Sequence, residues 1–332
     1  MTGAESTLRI LIVGNFISKA GGSRQVCEDL AGRLQDAGWR VITTSHRPAR
    51  LVRLADMVAT AWRRRHDYDV AQVDVFSGPA FFWAEVVAWV LRRAGKPYVL
   101  TLHGGNLPAF ARLWPRRVRR LMRSAAAVTT PSRYLQEQMG AYRADIRLLP
   151  NPIDIARYPF RLRSRPHPNL VWLRAFHRIY NPALAPRMLA HLVEDFPDVH
   201  LTMVGPDKGD GSLQATRETA AGLGLDGRIT FVGGVPKSEV PAWLDRGDIF
   251  INTTNVDNTP VSVIEAMACG LCVVSTNVGG IPYLLEHEHD ALLVPPNDHG
   301  AMADAVRHLL ADPIRAEQLS HNARQKAARH DW

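Results

Sequence analysis

Twice along this chain, short apolar runs alternate with amphipathic segments, and that rhythm restricts the fold more than any other feature. In the first half, apolar runs at 8–13, 40–45, 69–76, 97–102, 126–130 and 146–149 are separated by helical patterns. The second half repeats the arrangement with runs at 169–173, 199–204, 228–232, 249–252, 271–275 and 291–294. A strand buried on both faces reads as a continuous hydrophobic run, and parallel strands need a crossover, usually helical, to join them. The alternation therefore predicts an α/β protein of two doubly wound, Rossmann-like sheets facing a cleft, with ligands at the carboxyl ends of the strands. The 332 residues suffice for two domains. Asn151-Pro152-Ile153-Asp154 breaks the rhythm, and an aperiodic Arg- and Pro-rich stretch follows to about 167. The expected domains are 1–155 and 156–332, with that stretch as the linker.

Charge divides unevenly between these halves. Residues 1–155 carry 23 Lys and Arg against 12 Asp and Glu, and the remainder carries 17 against 20. A basic first half points toward an anionic surface or ligand. No helix-turn-helix, RNA-binding aromatic pair or zinc module accompanies the charge, so nucleic acid is not expected. Residues 110–125 gather Arg116, Arg117, Arg119, Arg120 and Arg123 on one short helix, with Trp114 beside them. Two readings stand open: a solvated basic face, or a patch resting on anionic lipid headgroups or receiving an anionic acceptor. No basic region followed by a long apolar run opens the sequence, and the longest apolar run, 79–91, is interrupted by Glu85. A cytoplasmic protein, peripheral at the membrane face, is the expectation. Three cysteines make no disulfide framework, and Cys269 and Cys272 form a lone CxxC read as core.

Several positions fall where ligands bind in such folds. Gly21 and Gly22 precede a helix expected over about 23–37 and let backbone approach an anion. His103, followed by two glycines, ends the fourth apolar run. Phe81, Phe82, Trp83 and Trp89 on the helix over 80–93 are expected to pack in the core. Residues 252–280, NTTNVDNTPVSVIEAMACGLCVVSTNVGG, carry the most chemistry. Thr259 is expected to cap a helix whose first residue is Pro260. The free N–H groups of that helix end suit a phosphate. Val261, Ile264, Glu265 and Ala268 share one stripe, which places a carboxylate on the buried face. Glu265 then needs hydrogen-bond donors, and the paired hydroxyls of a sugar supply them.

This segment resembles the donor-sugar segment of family 4 glycosyltransferases, retaining enzymes of the GT-B fold. The family pattern is an acidic residue, seven others and Glu; here it is Asp257 through Glu265, with Asp in place of the usual first Glu. The resemblance covers nearly the whole chain and is strongest over about 199–296. It implies transfer of a sugar from a nucleotide-diphosphate sugar to an acceptor hydroxyl of a glycan, a lipid-linked molecule or a small molecule, and the basic first half tilts the expectation toward a lipid-linked or anionic one. Arg174 matches the family Arg that binds the diphosphate. The family Lys a turn later is absent, with Ile179 and Tyr180 in its place, and Arg178 is the expected substitute. The resemblance implies that His103 and Asp257 hold the sugar and that Glu265 accepts the ribose hydroxyls. It further implies that Asn258, Thr259, Pro260 and Val261 meet the diphosphate, and that Gly233 and Val235 meet the base. No DxD metal motif is evident, so neither metal nor other cofactor is expected. Two other readings share this architecture: a nucleotide-sugar epimerase, and a non-catalytic nucleotide-sugar-binding protein. The sequence stops at Asp331-Trp332, where family members commonly continue into a crossover helix.

Overall fold

A computed structural model describes residues 8–17 and 25–332. Gly21 and Gly22 lie outside the described residues. The chain divides into two compact units, Met1–Pro150 and Asn151–Trp332.

In unit 1 the elements follow in the order β1 (Arg9–Val13), α1 (Val26–Asp36), β2 (Arg40–Thr44), α2 (Arg50–Arg63), β3 (Val70–Val75) and α3 (Pro79–Arg93). They continue as β4 (Tyr98–Leu102), α4 (Leu107–Leu113), α5 (Pro115–Ser124), β5 (Ala127–Thr130), α6 (Arg133–Met139) and β6 (Arg147–Leu148). The strands form one parallel sheet in the order β2-β1-β3-β4-β5-β6. The order reverses between β1 and β3, so the crevice at their carboxyl ends is the natural ligand position. A recess of about 320 Å³, open solvent included, lies there, lined by Gly14, Asn15, Asp74, Phe76 and Trp83 among others.

The five arginines of the basic stretch lie on one short helix, α5, as expected, but Leu113 belongs to α4, because Pro115 disfavours helical backbone at Trp114, whose φ of −128° ends α4 and begins α5. The α3 aromatics also divide. Phe81 is buried and Trp83 packs on the core, but Phe82 and Trp89 are each 51% exposed, since they fall on the solvent side of the helical turn.

In unit 2 the elements are β7 (Asn169–Leu173), α7 (Leu184–Ala190), β8 (His200–Val204), α8 (Ser212–Gly222), β9 (Ile229–Gly233), α9 (Val240–Asp245) and β10 (Ile249–Asn252). After these come α10 (Val261–Ala268), β11 (Cys272–Thr276), α11 (Ile281–Leu284), β12 (Leu292–Val294), α12 (His299–Ala311) and α13 (Pro313–Ala327). The parallel sheet runs β12-β11-β10-β7-β8-β9, which is the dinucleotide-fold order when counted from its own first strand. Side chains alternate across it, as the period of two requires. Leu170, Trp172, Ile249, Ile251 and Val274 enter one core layer, and Val171, Phe250 and Val273 enter the layer beneath α10.

The division at Pro150 falls a few residues before the expected boundary, because 151–153 already belong to unit 2. Ile153 bridges Asp331, and the Asn151 amide donates to the Thr259 carbonyl at 3.2 Å. Nor does the stretch after it behave as a linker. Arg163 is 1% exposed and donates to the carbonyls of Cys269 and Gly247. Its guanidinium also lies 3.4 Å from the buried Asp248. Arg324 of α13 donates to Ala268 O. Two arginines therefore meet the carbonyl end of α10, where the helix dipole favours positive charge, and fix that helix from behind. Cys269 and Cys272 are buried free thiols beside it.

Candidate functional site

The strand order of unit 2 reverses between β7 and β10, which brings the residues following these two strands side by side. Arg174 directly follows β7, and Asp257 lies in the loop after β10. Their side chains form an ion pair, guanidinium NH2 to Asp257 Oδ2, in a setting where the side chains are 17% and 10% exposed. The other carboxylate oxygen of Asp257 accepts the Asn258 N–H at 2.9 Å. The Arg174 guanidinium also lies 4.3 Å from the Tyr180 ring centroid. Burial pushes the Arg174 pKa down, against the opposing pull of Tyr180 and Glu265. Its Nε is enclosed and has no hydrogen-bond partner among the described residues.

The turn carrying Tyr180 is tied to β10. Trp172 Nε1 donates to Thr253 Oγ1 at 2.9 Å, and that hydroxyl donates to Tyr180 O at 2.7 Å. Asn255 N–H donates to Ile179 O at 2.8 Å. Where the sequence shows an aromatic instead of the family lysine, the fold uses it to support the arginine. Arg178, the expected substitute for that lysine, begins the short turn that carries Tyr180. Its side chain is exposed, its backbone N–H donates to Asp210 Oδ2 at 2.8 Å and its carbonyl accepts the Asn181 N–H at 3.2 Å.

Helix α10 starts one residue later than expected. Pro260 occupies the N-cap position with φ −69° and ψ 115° and offers no side-chain cap. Thr259 instead gives its carbonyl to Asn151. With the back of the helix held by arginines, its front retains the backbone N–H groups of Val261 and Ser262, which precede the first helical bonds. The Ser262 hydroxyl is enclosed there without a hydrogen-bond partner among the described residues. Unpaired buried donors beside an arginine and a helix amino end suit an anion.

Glu265 is 2% exposed in the middle of α10, confirming the buried carboxylate. Besides the sugar hydroxyls expected for it, the protein supplies donors of its own. The Tyr158 hydroxyl and the Lys237 ammonium both bond to its Oε1. Burial first, then Glu265, pushes the Tyr158 pKa up, so this hydroxyl is a neutral donor. Among the described residues Oε2 accepts no hydrogen bond, and it is not among the enclosed unpaired atoms. Lys237 and Tyr158 were not legible as site residues: one lies two residues past Val235, the other in the supposed linker. Gly233 ends β9 with φ +84° and receives the Gly205 N–H at 2.8 Å, while Val235 packs on the α10 core layer.

His103 belongs to unit 1. It follows β4, lies 3.1 Å from Asp74 Oδ1 through Nε2, and stacks on Phe76 at 5.2 Å. Gln72 donates to the same Asp74 oxygen at 2.7 Å. The only three-residue group of metal-ligating type among the described residues is Glu286, His289 and Asp290, and Asp290 is already paired with Lys326.

The sequence matches the family described as Glycosyltransferase Family 4 over residues 20–157 and Glycosyl transferases group 1 over residues 167–312. A curated relative is the GDP-mannose-dependent alpha-(1-6)-phosphatidylinositol monomannoside mannosyltransferase of Mycolicibacterium smegmatis. It is 27% identical over 308 residues, covering 85% of this chain and 78% of that protein. The D-inositol 3-phosphate glycosyltransferase of Pseudarthrobacter chlorophenolicus is 25% identical, covering 75% of this chain and 63% of that protein. Among solved structures, Anabaena HepE in complex with UDP and glucose superposes with a TM-score of 0.76 at 19% identity, covering 98% of this chain and 95% of that one. Sucrose-phosphate synthase from Thermosynechococcus elongatus matches with the same score, identity and coverage. The chain belongs to the family 4, group 1 glycosyltransferases, and its two parallel sheets with flanking helices are those of the GT-B fold.

Proposed function

We propose that this glycosyltransferase takes its sugar from a nucleoside-diphosphate sugar and transfers it with retention to a hydroxyl of an anionic, lipid-linked acceptor. The observation that carries the reading is the Arg174–Asp257 pair beside α10, where Arg174 Nε and the Ser262 hydroxyl are enclosed without a hydrogen-bond partner among the described residues. A diphosphate matches those donors, and Glu265 Oε2 is available to ribose hydroxyls. HepE was crystallised with UDP and glucose, and the mannosyltransferase is named for GDP-mannose, which supports a nucleotide-sugar donor without fixing its base.

In the proposed reaction the bond from the anomeric carbon to the diphosphate oxygen breaks, and its electron pair leaves with the diphosphate. Arg174 and the α10 N–H groups stabilise that developing charge. The acceptor oxygen bonds to the anomeric carbon from the same face, and its proton passes to the departing phosphate oxygen. Asp257 holds a sugar hydroxyl through the oxygen not committed to Arg174, and His103, fixed by Asp74, is the corresponding candidate in unit 1. The cationic side chains and helix end supply the charge stabilisation that a metal supplies elsewhere, so we also propose that the chemical step needs no divalent cation.

The named relatives act on phosphatidylinositol monomannoside or inositol 3-phosphate, which supports an anionic acceptor. The surface of unit 1 supports a bilayer as its source. The connections β2–β3, β3–β4 and β4–β5 run in one direction along the sheet, so right-handed crossovers place α2, α3 and α5 in one layer. On that layer Trp62, Trp89 and Trp114, each about half exposed, pair with Arg65, Arg93 and Arg117 at 4.7, 5.2 and 5.4 Å. Arg116, Arg119, Arg120 and Arg123 are exposed beside them, whereas Arg117 also pairs with Glu85 of α3. Tryptophan with arginine suits an anionic headgroup region. Among the described residues no helix is long and apolar enough to cross a membrane.

The test is nucleoside-diphosphate release from a panel of nucleotide sugars, with vesicles of phosphatidylcholine alone or with phosphatidylinositol. Release is expected with one donor and only with the inositol lipid, it persists in EDTA, and Arg116→Glu/Arg120→Glu lowers it about tenfold at constant lipid. Release equal in both vesicle types would remove the lipid acceptor, and loss in EDTA would remove the metal-free step.

A further inference from the structure

Lys237 and Tyr158 occupy positions that the reading above leaves without a task. Lys237 lies in the loop after β9, 27% exposed at its side chain, and Tyr158 is buried in the segment entering unit 2. One comes from the start of the unit's sequence and the other from its middle, and they converge on one atom, Glu265 Oε1. Charge neutralisation alone would be served by the ammonium on either oxygen. Instead both donors take Oε1, and Oε2 is left without a hydrogen bond among the described residues. A carboxylate held at one oxygen by two donors has its rotation fixed, so the other oxygen is aimed before any ligand arrives.

We propose that Lys237 and Tyr158 are positioning residues for nucleotide recognition, fixing Glu265 by Oε1 so that Oε2 is presented to the ribose hydroxyls. The inference rests on the donor-site reading of Glu265 given above. It reassigns the cation missing after Arg174: this chain carries a lysine at the site, but from the loop after β9 and directed at the carboxylate that reads the ribose. A hydrogen bond from a ribose hydroxyl to that carboxylate oxygen is charge-assisted. Lys237 itself touches no part of the ligand in this arrangement, so its removal affects only ligands that carry the hydroxyl.

That property gives the test. Affinities of the full chain for UDP, GDP and ADP are compared with those for their 2′-deoxy and 3′-deoxy counterparts, in wild type, Lys237→Met, Lys237→Arg and Tyr158→Phe. Wild type is expected to prefer its ribonucleotide to one deoxy analogue by at least tenfold, the worth of one hydrogen bond to a charged group. In Lys237→Met the ribonucleotide weakens about tenfold, the deoxy analogue hardly changes, and the ratio falls toward one. Tyr158→Phe moves the ratio the same way, and Lys237→Arg restores it. An unchanged ratio in both Lys237→Met and Tyr158→Phe, whatever their melting temperatures, would overturn the inference and leave the donor-site reading standing. Equal weakening of ribo and deoxy ligands would also overturn it, by making Lys237 a diphosphate contact or a packing residue. A wild type that binds nucleotide without distinguishing ribose from deoxyribose, or binds none, would overturn the ribose role of Glu265 and this inference with it.

Discussion

Replacing Arg174 by Met is expected to lower the rate of sugar transfer at saturating donor by about two to three orders of magnitude, the range seen when a preorganised charge-stabilising donor is removed. The loss has two parts. The guanidinium no longer meets the charge that develops on the departing diphosphate. Asp257, 9% exposed, is left with the Asn258 N–H as its remaining bond, so a buried carboxylate faces an incoming anion. Arg174→Lys keeps the charge but loses the planar fork over Tyr180, and an intermediate rate is expected. Initial rates of nucleoside-diphosphate release measure this. A decrease smaller than tenfold in Arg174→Met would remove Arg174 from the chemistry.

Gly280→Ala is expected to abolish measurable nucleotide binding while leaving both sheets folded. A methyl group at this position would stand 1.9 Å from the Asn258 carbonyl oxygen and 2.7 Å from its carbon. The obstacle is backbone and cannot swing aside as a side chain would. The loop from Asp257 to Thr259 must move, yet it is pinned by Gly280 N–H to Asp257 O at 3.1 Å and by Asn151 to Thr259 O. Overpacking of this kind costs about 1–3 kcal/mol. Its functional cost is larger, because the displaced loop carries Asp257 and leads directly into α10. Gly32→Ala is the control: nothing lies within 4 Å of the added carbon, and in the middle of α1 alanine is the better helix former. Melting curves with and without nucleotide separate the two variants. Nucleotide binding retained in Gly280→Ala would mean that the loop geometry is not required.

What the sequence disclosed and what it hid divide along a physical line. Local periodicity exposed the strands, and their alternation with helices implied ligands at the strands' carboxyl ends, whereas the switch point between β7 and β10 came only with the sheet order. The stripe through Val261, Ile264 and Ala268 was enough to bury Glu265. Interactions between distant residues were beyond such reasoning. Tyr158 and Glu265 are 107 residues apart, and Lys237 and Glu265 are 28 apart. No periodic pattern links them. Arg163 misled for a related reason, since an Arg- and Pro-rich stretch looks like a solvated linker. Only the fold reveals that its guanidinium meets carbonyls behind α10. Arg178 and Arg174 are four residues apart, but the turn at Tyr180 sends one outward and the other inward. The exposed Phe82 and Trp89 reflect the same limit: composition identified an aromatic helix, and the orientation of α3 decided which rings the core received.

The central claim is that the β7–β10 junction of unit 2 binds a nucleoside diphosphate through Arg174, α10 and Glu265. Titration calorimetry of the full chain with UDP, GDP, ADP, CDP and dTDP, repeated with Glu265→Ala, tests it most directly. The account predicts saturable binding of one ribonucleotide, weakened at least tenfold in Glu265→Ala. Binding unaffected by that substitution, or no binding of any of the five, would contradict it.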